Sequence, residues 1–191
     1  ETTYLNGSNT WKWAARTPGT KGNSIGIFVT DAGADHIAVV PAPGSGNDHE
    51  FVSGEAVSAS SGAAGKVLKY SVLLSVGSVV GSFVPGTSTT ISISGSAQAV
   101  TVVAYDADNG KLEIAMPSGG ITGIIADGQT VTQGSNTAVI STSGIERRVY
   151  IVKDKGSIDF AAADSITDTN STAVSISSVR VEYDEREYLP S

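Results

Sequence analysis

The stretch Asp106-Ala107-Asp108-Asn109-Gly110 contains the residues of this chain that most resemble metal ligands. Alternate carboxylates of this kind open a calcium loop, which also needs a bidentate acid about six residues beyond the glycine. Met116-Pro117 lies in that region instead. Asn-Gly between two apolar runs is also the strongest short signal for a β-hairpin. The stretch therefore predicts a hairpin turn and no metal.

The two histidines could act as ligands or as a general base. His36 and His49 lie beside turn or linker residues, and no third donor has the spacing that a metal site requires. We therefore predict solvated loop histidines. The acidic residues that could assist either imidazole are Asp31, Asp35, Asp48 and Glu50.

Other patterns that support catalysis are incomplete. No histidine follows His49, so a serine elbow with a downstream acid and histidine cannot be assembled in that order. The glycine-rich runs lack the Lys-Ser/Thr partner of a phosphate loop. Arg147-Arg148 at the start of a strand suits an ion pair between strands or subunits better than an anion site. We predict no catalytic, cofactor-binding or metal residues and no enzyme activity; a hydrolase using His36 or His49 is the weakest alternative.

The elements that carry these residues are predicted to be strands. The chain has 191 residues, of which 40% are apolar, 6% aromatic and 16% charged. Many are small or β-branched, a composition that suits short strands and tight turns. Residues 25–30, 36–40, 137–141, 147–152 and 172–183 read as strands, the last with a bulge near Ser177-Ser178. Residues 157–164 read either as a short helix or as a loop, so the predicted class is all-β, with at most this one helix.

Charge and composition narrow the range of partners. With 12 Lys and Arg against 19 Asp and Glu, the formal net charge is −7. This balance disfavours binding to nucleic acid or to anionic lipid, and we predict neither partner. No apolar run is long enough to span a bilayer. The chain has no cysteine, which excludes disulfides and thiolate metal sites.

The middle of the chain differs from its ends in composition and contains a weak repeat. Residues 65–86 and 100–132 both follow one formula: a strand ending in Tyr, a turn, a second strand, a glycine corner and a third strand. Residues 51–57 resemble the final piece, Gly128-Gln129-Thr130-Val131. We predict a discontinuous, sandwich- or barrel-like host β domain of residues 1–49 plus 136–191, interrupted by a small β-barrel or sandwich inserted at 50–135.

One segment carries a family resemblance. Trp11-Lys12-Trp13-Ala14-Ala15-Arg16-Thr17-Pro18-Gly19-Thr20-Lys21-Gly22-Asn23-Ser24-Ile25 resembles a segment of contractile tail sheath proteins of myoviruses, especially T4-like phages of cyanobacteria. The Gly-Glu-x-Val…Ser-Gly-x-x-Gly-Lys-Val pattern at 54–67 looks like small β modules of phage structural proteins. The positions that carry the main motif, all with an architectural role, are Trp11, Trp13, Arg16, Pro18, Gly19, Gly22 and Asn23.

The resemblance implies a structural virion protein. A sheath subunit polymerises with copies of itself around a tail tube protein and contracts during genome delivery, without a cofactor. The chain would be an outer, protruding fragment of such a subunit, made in the host cytoplasm and located in the phage tail, and monomeric by itself. Its first residue, Glu1 rather than Met, fits a fragment. The alternative is an adhesin or decoration module on the virion surface whose β insert contacts host glycans.

Overall fold

The computed structural model describes residues 34–43, 48, 51–117, 120–167 and 173–181. These residues form strands and connecting turns without a helix, which confirms the all-β prediction. The strands are β1 (His36–Val40), β2 (Ala56–Ala59), β3 (Ala64–Val80), β4 (Ser88–Ile93), β5 (Ser96–Asp106), β6 (Lys111–Ala115), β7 (Thr130–Gln133), β8 (Asn136–Lys153), β9 (Ser165–Thr167), β10 (Ala173–Ser175) and β11 (Ser178–Val181).

Six of the strands close an antiparallel barrel. Going round the barrel, the order is β3-β6-β5-β4-β7-β8, and the ladder between β8 and β3 completes it. Residues of alternating burial line its interior, as a half-buried pleated strand requires. In β6, for example, Leu112 and Ile114 are fully buried between partly exposed neighbours.

The remaining strands bond outside the barrel and curl into a second arrangement, which we call the outer ring. It consists of β2, β9, β10, β11 and β1 together with the parts of β3 and β8 that they flank. β10 and β11 are the two ends of the sheet, and only Ile176 and Ser177 separate them in the chain. The Ile176 N–H donates to Asp164 O on the β9 side (2.7 Å), whereas the Ser177 N–H donates to Val39 O of β1 (2.7 Å). The outer ring is therefore closed by the chain itself.

The two long strands β3 and β8 belong to both the barrel and the outer ring. Their ladder runs from the pair Gly65↔Lys153 to the pair Val80↔Thr137, with register shifts at three places. One hydrophobic cluster extends through both arrangements, from Val131 and Ile91 in the barrel to Ile151 and Ile166 in the outer ring. The barrel and the outer ring thus share both a sheet and a core.

A turn of constant geometry precedes four of the strands, and we call it the entry turn. Its third residue has a positive φ and donates its N–H to the carbonyl of a partner residue, which lies on the next strand but one in three of the turns and directly after β10 in the fourth. That residue donates its own N–H back to the carbonyl of the fourth turn residue. The third, fourth and partner residues are Gly54, Glu55 and Val67; Gly86, Thr87 and Val102; Gly128, Gln129 and Ile140; and Ala163, Asp164 and Ile176.

Side chains complete the entry turns by satisfying the N–H of the first residue. The Val52 N–H donates to Glu55 Oε1 (2.7 Å), the Ala126 N–H to Gln129 Oε1 (3.1 Å) and the Ala161 N–H to Asp164 Oδ2 (2.9 Å). In the turn that begins at Val84, Gln133 provides the acceptor at 2.7 Å. The predicted likeness between residues 51–57 and 128–131 is thus confirmed as shared geometry.

The predicted three-strand formula is wrong for residues 65–86, whereas residues 100–132 follow it: β5 passes through Tyr105, a hairpin leads to β6, and glycines with positive φ precede β7. β3 runs without a turn through Tyr70 to Val80, because Tyr70, Val72, Leu74 and Val76 continue a single buried alternation. Residues 81–87, which include the predicted third strand of the first copy, are irregular. Glycines with positive φ, which a regular strand does not accept, interrupt the chain there.

Other predictions of elements are confirmed or corrected as follows. The strand at 36–40 and the Asn109-Gly110 hairpin between β5 and β6 are confirmed. Residues 157–164 are not a helix: Ala163 has φ +69°, which ends any right-handed turn. The segments predicted at 137–141 and 147–152 belong to one strand, β8, whereas the strand predicted at 172–183 divides into β10 and β11 at the predicted bulge.

The predicted division into a host domain and an insert stays a prediction. The strand pairing is relevant to one of its boundaries. The boundary between residues 135 and 136 falls in the β7–β8 hairpin, and β8 is a wall of the barrel. A division there would separate neighbouring strands of one barrel. The strand predicted at 25–30 lies outside the described residues. Within the described ranges no helix could span a membrane.

Candidate functional site

The β5–β6 hairpin holds the predicted acidic stretch, and its carboxylate is occupied by the turn. Asp106 Oδ1 accepts from the N–H groups of Asp108 (3.1 Å) and Asn109 (3.2 Å), while Oδ2 accepts from Asn109 Nδ2 (2.7 Å). The hydrogen bond from the Asn109 side chain is the main reason that the pKa of Asp106 is lowered. The stretch is therefore a hairpin turn held by a side chain, as predicted.

The prediction of a solvated loop is wrong for His36. Its side chain is fully buried on β1, with its ring centroid 5.8 Å from that of Phe160 in an edge-to-face contact. His36 Nε2 lies 3.6 Å from Asp159 Oδ1, which also accepts from Lys153 Nζ at 2.6 Å. His36 lies on the same face of β1 as Ala38 and Val40, which enter the core, so its burial follows from the alternation of the strand.

The predicted acidic helpers of the histidines do not form one group with them. Asp35 Oδ2 accepts from the Lys153 N–H (2.7 Å), and Asp48 is bound to Arg147 elsewhere in the core. Asp31, His49 and Glu50 lie in the part of the chain that is not described. Among the described residues, no three His, Cys, Asp or Glu side chains are grouped as metal ligands.

The pair Arg147-Arg148 separates across the sheet. Arg147 points into the core, where its Nε donates to Asp48 Oδ1 and its Nη2 to Asp48 Oδ2, both at 2.7 Å. A further bond runs from Arg147 Nη2 to Ile125 O (2.9 Å), and the Ile125 N–H donates to Asp48 Oδ2 (3.0 Å). Burial alone would lower the pKa of Arg147, but the hydrogen bonds and charge of Asp48 raise it. The two side chains are buried and are hydrogen-bonded to each other and to the backbone of Ile125.

Arg148 points to the opposite face and is bound to Glu146 at 2.6 Å. Near it, a cavity of about 160 Å³ lies against Ile37, Val39 and Arg180. Ligand pockets usually measure about 300–1,000 Å³. The cavity is thus smaller than a usual ligand pocket, and its size does not indicate a ligand site.

A second polar network lies on the outer surface shared by β3, β6 and β8. Glu113 Oε1 accepts from Ser71 Oγ (2.6 Å), Lys69 Nζ (3.1 Å) and Tyr150 OH (3.2 Å). Lys69 Nζ also lies 4.0 Å from the centroid of the Tyr150 ring. Burial by itself would raise the pKa of Glu113, but the hydrogen bond from Ser71 and the charge of Lys69 lower it. With three donors on one oxygen, this carboxylate is the central acceptor of the network.

The end of the barrel carries three of the exposed large apolar side chains. Val79, Val80 and Val84 are 36%, 60% and 55% exposed, and we call them the barrel rim. They lie at the end of β3 and in the following turn, which Gln133 and Asn136 of the β7–β8 hairpin hold in place through hydrogen bonds to Val84 and Ser82. Exposed apolar groups on an ordered edge suit contact with another molecule.

The residues of the predicted family motif, from Trp11 to Asn23, lie outside the described ranges, so that motif stays a prediction. The described part defines an all-β protein with a closed six-stranded barrel and polar networks that hold strands together. Comparison with protein families, with curated proteins and with solved structures finds no match to the chain.

Proposed function

We propose that the chain is a structural module of a virion, the outer part of a contractile tail sheath subunit, and not an enzyme. The observation that carries the proposal is the structure of the Gly-Glu-x-Val pattern that begins at Gly54. It forms an entry turn followed by a hairpin, and the same geometry recurs at Gly86, Gly128 and Ala163. A module assembled from one repeated turn fits the likeness of that pattern to β modules of phage structural proteins.

The mechanical requirements of a sheath agree with the described architecture. A sheath subunit must move as a rigid body while it keeps its contacts with identical neighbours and with the tail tube. The shared ladder of β3 and β8 and the buried Asp48–Arg147 pair join the barrel to the outer ring. Such a unit transmits displacement without deforming.

Electron microscopy of the longer protein tests this proposal. We expect tubes or stacked rings under assembly conditions. A double variant, Trp11→Ala with Trp13→Ala, is expected to reduce tube formation if the resembling segment has its architectural role. Val152→Ser, at an exposed position of the outer ring, provides a control. Particles that remain monomeric in every assembly condition would contradict the sheath proposal.

A second candidate is a surface module that contacts host glycans, and the barrel rim favours it. The rim combines exposed Val79, Val80 and Val84 with uncharged neighbours such as Ser82. On a glycan array, the whole chain would bind and the double variant Val80→Lys with Val84→Lys would not. An array without binding leaves the sheath proposal as the better one.

A further inference from the structure

Two dipeptides in the described part of the chain have a sequence that favours attack of a backbone nitrogen on the preceding side chain. They are Asn109-Gly110 in the β5–β6 hairpin and Asp127-Gly128 in the entry turn before β7. Glycine has no side chain that would hinder the approach of its nitrogen to Cγ of the residue before it. Asparagine is among the thermolabile residues of proteins. The sequence alone predicts a reactive site at both places.

The fold engages the reacting groups in the entry turn. The Gly128 N–H donates to Ile140 O at 2.8 Å, and Asp127 Oδ2 accepts from the Ser143 N–H at 2.7 Å. Both acceptor and donor lie on β8. The Gly128 nitrogen can attack only after it has lost its hydrogen bond to this strand. A reaction at this place therefore requires local opening of the turn.

The β5–β6 hairpin holds the corresponding groups differently. The Gly110 carbonyl accepts from the Val76 N–H at 2.8 Å, but the Gly110 N–H has no hydrogen-bond acceptor among the residues that the structure describes. Asn109 is exposed, and its side chain is held by the bond from Nδ2 to Asp106 Oδ2 at 2.7 Å. Attack on Asn109 Cγ therefore breaks an exposed side-chain bond and no bond of the attacking nitrogen.

We propose that Asn109 is a site of spontaneous deamidation in the folded chain and that the fold protects residues 127–128 from the equivalent reaction. The Gly110 nitrogen gives up its proton to hydroxide and forms a bond to Asn109 Cγ. The Cγ–Nδ2 bond breaks, and Nδ2 leaves as ammonia after taking a proton from water. A water molecule then opens the cyclic imide at either of its carbonyl groups. The products have aspartate or isoaspartate at position 109.

Both products weaken the turn that joins β5 to β6. A carboxylate replaces the amide that now donates to Asp106, so an attraction becomes a repulsion between like charges. In isoaspartate the backbone also passes through Cγ, which displaces Gly110 from its bond with Val76 on β3. The modification therefore changes the pairing of the hairpin with the barrel wall. The proposal does not rest on a sheath function.

The variant Asp127→Asn tests the proposal by placing the same Asn-Gly dipeptide at both positions of one chain. The new amide oxygen can still accept from the Ser143 N–H. Wild type and variant are kept at mildly alkaline pH, folded or in urea, until the samples in urea have reacted. Mass spectrometry of tryptic peptides then detects the replacement of an amino group by a hydroxyl group. Lys111 separates positions 109 and 127, and Lys12 separates both from the Asn-Gly pair at 6–7.

In urea, we expect the asparagines at positions 109 and 127 to react at similar rates, because the dipeptides are identical. In the folded variant, position 109 should react about tenfold faster, since position 127 must first lose a backbone hydrogen bond. Asn109 should also react in the folded wild type, which does not depend on the folding of the variant. Equal rates at the two positions of the folded variant would overturn the proposal. So would an Asn109 that reacts in urea and stays intact in the folded wild type.

Discussion

The barrel and the outer ring pair their strands in the same way but have different side chains at equivalent positions. β6 lies between β3 and β5 in the barrel, as β1 lies between β8 and β11 in the outer ring. Where the barrel has Val72 opposite Ile114, the outer ring has Arg147 opposite Val40. Val72 is fully buried in the apolar cluster, with Arg147 directly opposite it in the β3–β8 ladder, whereas Arg147 is buried with a carboxylate from outside the strands. The position therefore does not dictate the chemistry of the side chain. The arginine is accepted at this buried position because Asp48 pairs with its guanidinium.

A second contrast concerns size. Leu112 in the barrel corresponds to Ala38 in the outer ring, and both are fully buried. The barrel is closed by ladders on every side, whereas chain connectivity closes the outer ring between β10 and β11. The outer ring thus has the smaller side chain at this position, and it lacks a ladder at one place in its circle, between β10 and β11. Four sets of variants test how the stability of the folded chain depends on the barrel and on the outer ring.

The largest effect is expected for Asp48→Ala. Removing the carboxylate leaves the Arg147 guanidinium buried without its ion partner, and breaking such a pair costs about 3–5 kcal/mol. Urea denaturation measures the free energy of unfolding, with Asp108→Ala at the exposed hairpin as the control. The double variant Asp48→Ala with Arg147→Val, which imitates Val72, should recover much of the loss. A double variant as unstable as Asp48→Ala would show that the ion pair itself is needed.

The next effect comes from exchanging the sizes of the equivalent residues. Leu112→Ala should create a cavity in the barrel and cost about 2–5 kcal/mol. Ala38→Leu should overpack the outer ring and cost about 1–3 kcal/mol. Thermal unfolding of both variants gives the comparison. A neutral Ala38→Leu variant would mean that the outer ring has room for a barrel-like core.

A smaller, pH-dependent effect is expected at Glu113, whose equivalent in the outer ring is Val39. The pKa of Glu113 is lowered from 4.5 in the folded chain, mainly by Ser71 and Lys69 acting against burial. Its stabilisation is therefore present above that value and is lost as the pH falls through the lowered folded pKa. Glu113→Gln should lose about 1.5 kcal/mol at neutral pH, the scale of hydrogen bonds to a charged group.

Denaturation at a series of pH values checks this prediction. The difference between the wild type and Glu113→Gln should shrink as the solution is acidified below pH 4.5. Val39→Thr, at the equivalent position without an ionisable group, should differ from the wild type by the same amount at every pH. A constant difference for Glu113→Gln would contradict the role of its charge.

The smallest effect concerns the entry turns. At Gly128, φ is +79° and a Cβ would meet no atom within 4 Å, so Gly128→Ala adds only backbone strain, about 1 kcal/mol. Ala163 already bears this strain at φ +69°. Ala163→Gly should therefore stabilise the chain by somewhat less than about 1 kcal/mol, since glycine also gains freedom in the unfolded chain.

Midpoints of urea denaturation measure both changes, with Ala162→Gly as the control for added flexibility. Opposite signs for Gly128→Ala and Ala163→Gly would establish that the two turns are mechanically the same. A destabilising Ala163→Gly would mean that the methyl group of Ala163 has contacts that outweigh its strain.

Local signals in the sequence were enough for the short elements. The alternation at 36–40 and the Asn-Gly pair at 109–110 depend on neighbours in the chain, and both predictions are confirmed. β8 was divided in two because Ser141 to Gly144 has the composition of a turn. In the structure, this segment is accommodated where the register between β3 and β8 shifts. Because β8 is paired with β3 both before and after these residues, the strand continues through a segment that would end an isolated strand.

The polar networks could not be predicted because their members are far apart in the sequence. Asp48 and Arg147 are separated by 99 positions, and only the fold brings them together. His36 was predicted to be a solvated loop residue because turn residues lie beside it, but the ladders of β1 with β8 and β11 bury it. The Gly54–Glu55 and Gly128–Gln129 turns were recognisable, but Ala163–Asp164 was not, since alanine rarely has a positive φ.

The origin of β1 has a consequence for the order of folding. Every strand of the barrel has left the ribosome's active centre once Lys153 has been added. The outer ring needs β11 as well, so it cannot be completed until Val181 has been added. Contacts between residues so far apart also form slowly, because a long loop must close first. We expect two kinetic phases on refolding, an earlier one for the barrel and a later one in which β1 enters the sheet.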